Sequence, residues 1–217
     1  MDQNELDQQS QHWEKNFSNK PEMFGLEPSI SAKKALNFFK EKKINNIIEL
    51  GAGLGRDSIF FAKNNIKIQA LDYSSSGIEI INHKIKRDNL SNYISTKLFD
   101  VREKLPFKDN SIDACYSHML YCMALTISDL QKLNNEIHRI LKPNGLNIYT
   151  VRHTNDGDYK NGKHIGEDLY ENDGFIVHYF SEEKVNSLLN GFKNIALEKF
   201  EEGTFPRKLF FIVNEKK

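Results

Sequence analysis

Residues 45–74, NNIIELGAGLGRDSIFFAKNNIKIQALDYS, restrict the fold more than any other stretch of the chain. A short apolar run, Asn46 to Leu50, stops at three glycines set at alternate positions: Gly51, Gly53 and Gly55. The pattern then turns helical from Arg56 to Asn64, and a second apolar run closes on Asp72. Two buried-type strands joined through a glycine turn and a helix form a βαβ unit, and such a unit requires a parallel sheet.

The rest of the chain repeats that alternation. Ser75 to Arg87 reads as the next helix, ISTKLFD as a third strand ending on Asp100, and SIDACYSH as a fourth. Thr126 to Leu141 is a long helix whose stop is written in KPNG, and LNIYTVR makes a fifth strand. GFIVHYF, a helix from Ser181 to Asn190, NIALEKFEE and RKLFFIVNEK complete the series, the last two as neighbouring strands. Such alternation predicts an α/β fold, a mostly parallel sheet with helices on both faces. The 217 residues suffice for one such domain with a sizeable core, expected over residues 45–217. Residues 1–44 read as an N-terminal helical extension. One helix runs from Glu5 to Phe17, KPEMFGLEPS breaks it, and Ser29 or Ser31 caps a second helix reaching Lys43. Residues 153–174, rich in Gly, Asn and Asp, read as a long functional loop.

Charge narrows the partners. Lys+Arg and Asp+Glu both number 30, so no net field draws the chain to nucleic acid or to a membrane. The basic cluster HKIKRDN, His83 to Asn89, reads as a solvated helix face. Cys115 and Cys122 are the only cysteines, without CxxC or histidine at zinc spacing, which predicts no structural metal and a reduced, cytoplasmic protein. The polar N-terminal sequence is unlike a signal peptide, and no apolar run approaches membrane-spanning length. Oligomeric state is left open.

The glycine turn is a ligand seat. It lies beyond the carboxyl ends of the strands, where open α/β sheets bind ligands, and the following helix offers free N–H groups. Asp72, about 20 residues after the first glycine, is placed to accept from both hydroxyls of a ribose. These features suit any adenosine-containing cofactor, and Asp72 alone could simply cap a helix. The dinucleotide fingerprint is G-x-G-x-x-G, however, whereas here the third glycine arrives one residue early and Arg56 stands in its place. Glu49, two residues before the first glycine, would repel a pyrophosphate but bind an ammonium group. A ribose and an amine without phosphate describe S-adenosylmethionine.

With those residues in view, the chain resembles the class I S-adenosylmethionine-dependent methyltransferases. IIELGAGLGRDSIFFA looks like their first motif and ALDYS like their acidic second-strand end. LFDVREKLPFKDNSIDACYSHMLYCM and EIHRILKPNGLNIYTV resemble the later strands, in the right order over residues 45–151. The resemblance implies a Rossmann-like sheet of seven strands, the last antiparallel, and methyl transfer that leaves S-adenosyl-L-homocysteine. Carried over by position, Glu49 faces the methionine amine and Gly51, Gly53 and Gly55 underlie the cofactor. Asp72 holds the ribose, Tyr73 flanks the adenine, and Asp100 with the Val101 backbone meets the adenine edge. Ser117 and His118 border the methionine portion.

The acceptor is less legible. A sulfonium methyl is already activated, so the protein has to align a nucleophile, exclude water and, where needed, take a proton. No fixed triad is expected. Arg152 and His153 leave strand five at its ligand edge, His178 and Tyr179 sit in FIVHYFS, Tyr121 follows strand four and Arg207 precedes the final strand. Each has a packing role as its plain alternative. His12, Trp13, Phe17 and Phe24 make the N-terminal extension aromatic enough to cover a bound cofactor as a lid. Residues 151–213 are similar, less specifically, to the tellurite-resistance and thiol methyltransferases. That similarity implies Arg152, His153, His178 and Arg207 around a small anionic or soft acceptor. The expected activity is methyl transfer to a small molecule: a thiol, chalcogen oxyanion, amine or hydroxyl. RNA or protein methylation and non-catalytic cofactor binding are the rivals; zero net charge and SHMLYC after strand four speak against the first.

Overall fold

The computed structural model describes residues 6–203 and 206–217, so the expected helix start at Glu5 lies outside it. In chain order the elements are α1 (Gln9–Asn19), α2 (Ile30–Glu41), β1 (Asn46–Leu50), α3 (Arg56–Lys63), β2 (Lys67–Asp72), α4 (Ser75–Arg87), β3 (Ile94–Leu98) and β4 (Ile112–His118). They continue as α5 (Ile127–Ile140), β5 (Leu141–Arg152), β6 (Lys163–Gly166), β7 (Leu169–Asn172), β8 (Phe175–His178), α6 (Glu182–Ser187), β9 (Phe192–Glu202) and β10 (Arg207–Lys216). Local signals account for the starts. Ser29 caps α2 by accepting from Ala32 N–H, and Thr126 and Asp129 form a reciprocal capping box on α5.

Seven strands form one sheet in the order β3-β2-β1-β4-β5-β10-β9. β1, β2, β3, β4 and β5 pair in parallel, and β10 runs antiparallel to both β5 and β9, as the sequence leads one to expect. The chain moves from β1 outward to β2 and β3, then returns across β1 to β4. That reversal opens a crevice at the carboxyl ends of β1 and β4.

Period-two alternation sorts the strands' side chains onto two cores. Ile47, Ala114, Tyr116, Ile148 and Phe211 face α2, α3 and α4, while Ile48, Cys115, Tyr149, Val151 and Phe210 face α5 and α6. Helices on both faces follow directly.

Two expectations change. Residues 153–174 are not a loop: β6 and β7 lie within them and pair antiparallel with β8 as a separate three-stranded meander. The Gly, Asn and Asp residues sit largely in tight turns, Gly162, Asp173 and Gly174 all with positive φ, and short hairpins use the same residues as loops. KPNG, in turn, does not lead from α5 into a connecting segment. β5 begins at Leu141 and the tetrapeptide bulges, so that Ile112 faces Leu141 while Ala114 already faces Leu146.

Candidate active site

A cleft of about 690 Å³ runs along the carboxyl edge of the sheet, from the β1–α3 turn to the meander. In its first half the turn is rigid. Gly51, Gly53 and Gly55 have φ of 69°, 55° and 77°. At Gly55 a Cβ would come within 2.6 Å of Ile81 Cγ1 on α4, so only glycine lets α3 and α4 approach. Gly51 and Ala52 N–H donate to Leu71 O at 2.9 and 3.0 Å, tying the turn to β2. Asp72 then joins the two loops: one carboxylate oxygen accepts from Gly53 N–H at 2.7 Å and the other from Ser74 N–H at 2.9 Å.

Glu49, Asp57 and Asp72 all line this half and are almost wholly buried. Burial, together with the neighbouring Asp57 charge, pushes the Glu49 carboxyl well above the usual carboxylate range, although the Ser58 hydroxyl donates to it. Burial also pushes Asp72 up to about 6, against the pull of the Ser74 and Gly53 N–H groups. Arg56, beside them, donates to Phe24 O at 3.2 Å and keeps its Nε 3.9 Å from Asp57. A surplus of buried carboxylate favours a cation and repels a diphosphate.

The other expected cofactor residues separate. Tyr73 and His118 line the cleft. His118 Nε2 lies 3.1 Å from Glu202 Oε2, and its Nδ1 lies 2.8 Å from Ser31 Oγ and 3.0 Å from Thr150 Oγ1. Burial tends to raise Glu202, but the His118 contact brings its carboxyl down to about 2. Asp100 and Val101 are absent from the cleft lining. Asp100 is held by Arg102, which also reaches Asp7, and Val101 packs in the core beneath. Ser117 is fully buried, and its hydroxyl has no partner among the described residues.

Of the acceptor-side candidates, Arg152 and Arg207 line the cleft; His153, His178 and Tyr121 do not. The reason is alternation along strands. Adjacent strand residues point to opposite faces, so Arg152 and His153 cannot both face the ligand. His153 turns to Phe210, ring centroids 4.9 Å apart, and its Nδ1 accepts from Asn155 N–H. Along β8 it is Phe175, Val177 and Tyr179 that meet the cleft, which sends His178 inward. His178 Nδ1 bonds Leu125 O at 2.8 Å and Nε2 accepts from Lys184 at 2.9 Å; burial and the Lys184 charge bring it down to about 4. Tyr121 is fully buried, stacked on Tyr149 at 4.1 Å and donating to Asn134 Oδ1 at 2.6 Å. Even Arg152 is engaged: it pairs with buried Asp156 and with Asp158 at 2.6 Å, and its guanidinium lies 5.2 Å from the Tyr179 ring.

The architecture and the turn have known counterparts. A methyltransferase-domain family model matches residues 47–145. Residues 47–145 are thus similar to methyltransferase domains. Among curated proteins, a sterol 4-C-methyltransferase of Caenorhabditis elegans is 28% identical over 155 residues, 69% of this chain and 45% of that protein. A human tRNA N(3)-cytidine methyltransferase is 24% identical over 165 residues, 71% of this chain and 42% of that protein. The chain thus spans less than half the length of these two relatives. A solved 1,6-didemethyltoxoflavin-N1-methyltransferase of Burkholderia thailandensis, with that compound and S-adenosylhomocysteine bound, shares the fold at a TM-score of 0.71. It is 14% identical, with 96% of this chain and 87% of that one covered.

The residues of the glycine turn fit S-adenosylmethionine on their own chemistry. Asp72 spends one lone pair of each carboxylate oxygen on the protein and keeps the others for two hydroxyls. Glu49 has the raised proton affinity that an adjacent ammonium would relieve. Sequence reasoning placed Tyr179 here correctly but missed several residues of this cleft: Arg56, Met119, Asp158, Tyr170 and Glu202. Tyr170 was recoverable from the alternation of β7. Glu202 was not, because its partner His118 lies 84 positions earlier in the chain.

Proposed function

We propose that this protein transfers the methyl group of S-adenosylmethionine to a small-molecule acceptor. The observation that carries this reading is a single roofed cleft. The glycine turn and Asp72 form one end, and Arg152, Arg207, Tyr170 and Tyr179 form the other. Trp13, Phe17 and Phe24 cover it from the N-terminal extension. About 690 Å³ is the size of a pocket for small ligands, here a cofactor and a compact acceptor together.

In this reading Glu49 receives the cofactor's ammonium, Asp72 its ribose hydroxyls, and Tyr73 flanks the adenine. The cofactor supplies a methyl group already activated on a sulfonium. The protein's part is alignment and exclusion of water. Met119 and Leu120, at the end of β4, form the floor between the two halves. Tyr170 and Tyr179 wall the acceptor, and Arg207 supplies positive charge at the mouth. Arg152 positions rather than reacts, because its guanidinium is spent on Asp156 and Asp158. Two buried, unpaired cysteines suit the cytoplasm as the working compartment.

A second reading, methylation of RNA, is favoured by the tRNA-modifying relative. Incubation with methyl-labelled cofactor and separate small-metabolite, RNA and protein fractions distinguishes them. Label in the small-metabolite fraction, with release of S-adenosylhomocysteine, is the expected result; label confined to RNA defeats it.

A further inference from the structure

We propose that α1 is a strap coupling the two halves of the cleft, so that loosening it at the acceptor end weakens cofactor binding at the other. The inference rests on the reading above only for the identity of the cofactor.

α1 is fastened at both ends of the cleft. On the cofactor side the Glu14 carboxylate accepts from the Ser74 hydroxyl at 2.6 Å, the Ser75 hydroxyl at 3.0 Å, Ser76 N–H at 3.1 Å and the Ser76 hydroxyl at 2.5 Å. It therefore caps the N-terminus of α4 from outside that helix, two residues beyond Asp72. Those contacts hold Glu14 down at about 2, against burial, so the fastening stays ionised at every physiological pH. Just before α1, Asp7 is paired with Arg102, which also grips Asp100.

On the acceptor side the Gln9 side chain bonds the backbone at the start of β8. Its Nε2 donates to Gly174 O at 2.9 Å and its Oε1 accepts from Ile176 N–H at 3.2 Å. The Phe175 ring lies 4.4 Å from the His12 ring and 4.9 Å from the Trp13 ring. His12 packs so closely on Gly174 that an added Cβ would come within 2.6 Å of its ring.

Between these ends α1 roofs the cleft with Trp13 and Phe17. Little apolar burial holds it there. Phe17 is its only fully buried residue, whereas α5 buries five. A helix with so little buried apolar surface is drawn from the less stable part of a fold and releases before the core does. Because one short helix carries both sets of fastenings, release at either end uncovers both halves. A ligand that needs the roof then loses apparent affinity in proportion to the closed fraction.

Glu14→Ala, Gly174→Ala and Gln9→Ala test this. None of the three positions lines the cleft. Binding of S-adenosylhomocysteine is followed by calorimetry, and tryptic cleavage after Lys15 is followed without ligand. Each variant is expected to weaken binding on the order of tenfold, the scale of a lost hydrogen-bonded contact or two, and to speed cleavage by a similar factor. Gln9→Ala guards against a Gly174→Ala chain that fails to fold, since it alters no turn. Unchanged affinity in both acceptor-side variants overturns the coupling, whatever happens to cleavage. If wild-type protein binds no S-adenosylhomocysteine, the cofactor reading fails by itself. The strap is then judged on proteolysis, and equal cleavage rates in wild type and variants end it.

Discussion

The two halves of the cleft are built in different ways. The cofactor half comes mainly from one continuous stretch, β1 through Ser74, and its contacts are largely backbone groups meeting one carboxylate. The acceptor half gathers side chains from β5, the meander and the start of β10, segments far apart in sequence. Backbone-built sites follow from local conformation. Side-chain-built sites depend on which way each strand residue points, and a register shift of one residue reverses the answer. Hence one half fixes the cofactor class, while the other leaves the acceptor to experiment.

Three measurements sharpen that contrast. Arg152→Ala has the largest expected effect, and it falls on stability rather than chemistry. The substitution leaves buried Asp156 without its cation, which costs about 3 kcal/mol, read as a lower denaturant midpoint. A wild-type midpoint with lost turnover would return Arg152 to the reacting atoms. Asp72→Ala is expected to weaken cofactor binding by about 1.5–3 kcal/mol, the scale of lost hydrogen bonds to a charged group. Its titration gives a second reading. Asp72 is ionised above about 6 and accepts from hydroxyls best in that form. Affinity is therefore expected to hold above that pH and fall roughly tenfold per unit below it, with the break missing in Asp72→Asn. A wild-type profile flat from pH 8 down to roughly 5 would remove Asp72 from the ribose role. Tyr121→Phe is the smallest: about 0.5–1.5 kcal/mol of stability from the Asn134 hydrogen bond, with turnover intact. Impaired turnover in a stable variant would mean that the acceptor half reaches deeper than the cleft wall.

How much the sequence reveals follows the same division. The strand–helix alternation, the Gly55 turn and the Asp72 position were legible because each rests on a local signal, whereas the antiparallel last strand followed from the family resemblance. His153 and His178 were misplaced for one reason: both lie beside a residue that does reach the cleft, and period two admits only one of each adjacent pair. Counting alternation through FIVHYF would have chosen Val177 and Tyr179 over His178. The meander was hidden because four-residue strands between glycine turns carry too little periodicity to separate from a loop. Glu14 was invisible for another reason. Nothing local to HWEKNF indicates that its carboxylate will cap a helix 60 positions away.

The place of β10 in the sheet has a consequence for assembly. It is synthesised after β9 yet must slide between β9 and β5, among the described residues the sole partner strand of the first and one of two for the second. Until Arg207 to Lys216 exist, β5 therefore presents an open edge that any stray strand can join, and β9 has no neighbour to pair with. A nascent chain halted near Glu202 is thus sticky rather than merely incomplete, and a single late segment pairs with β5 and β9 at once, leaving β9 as the sheet's edge.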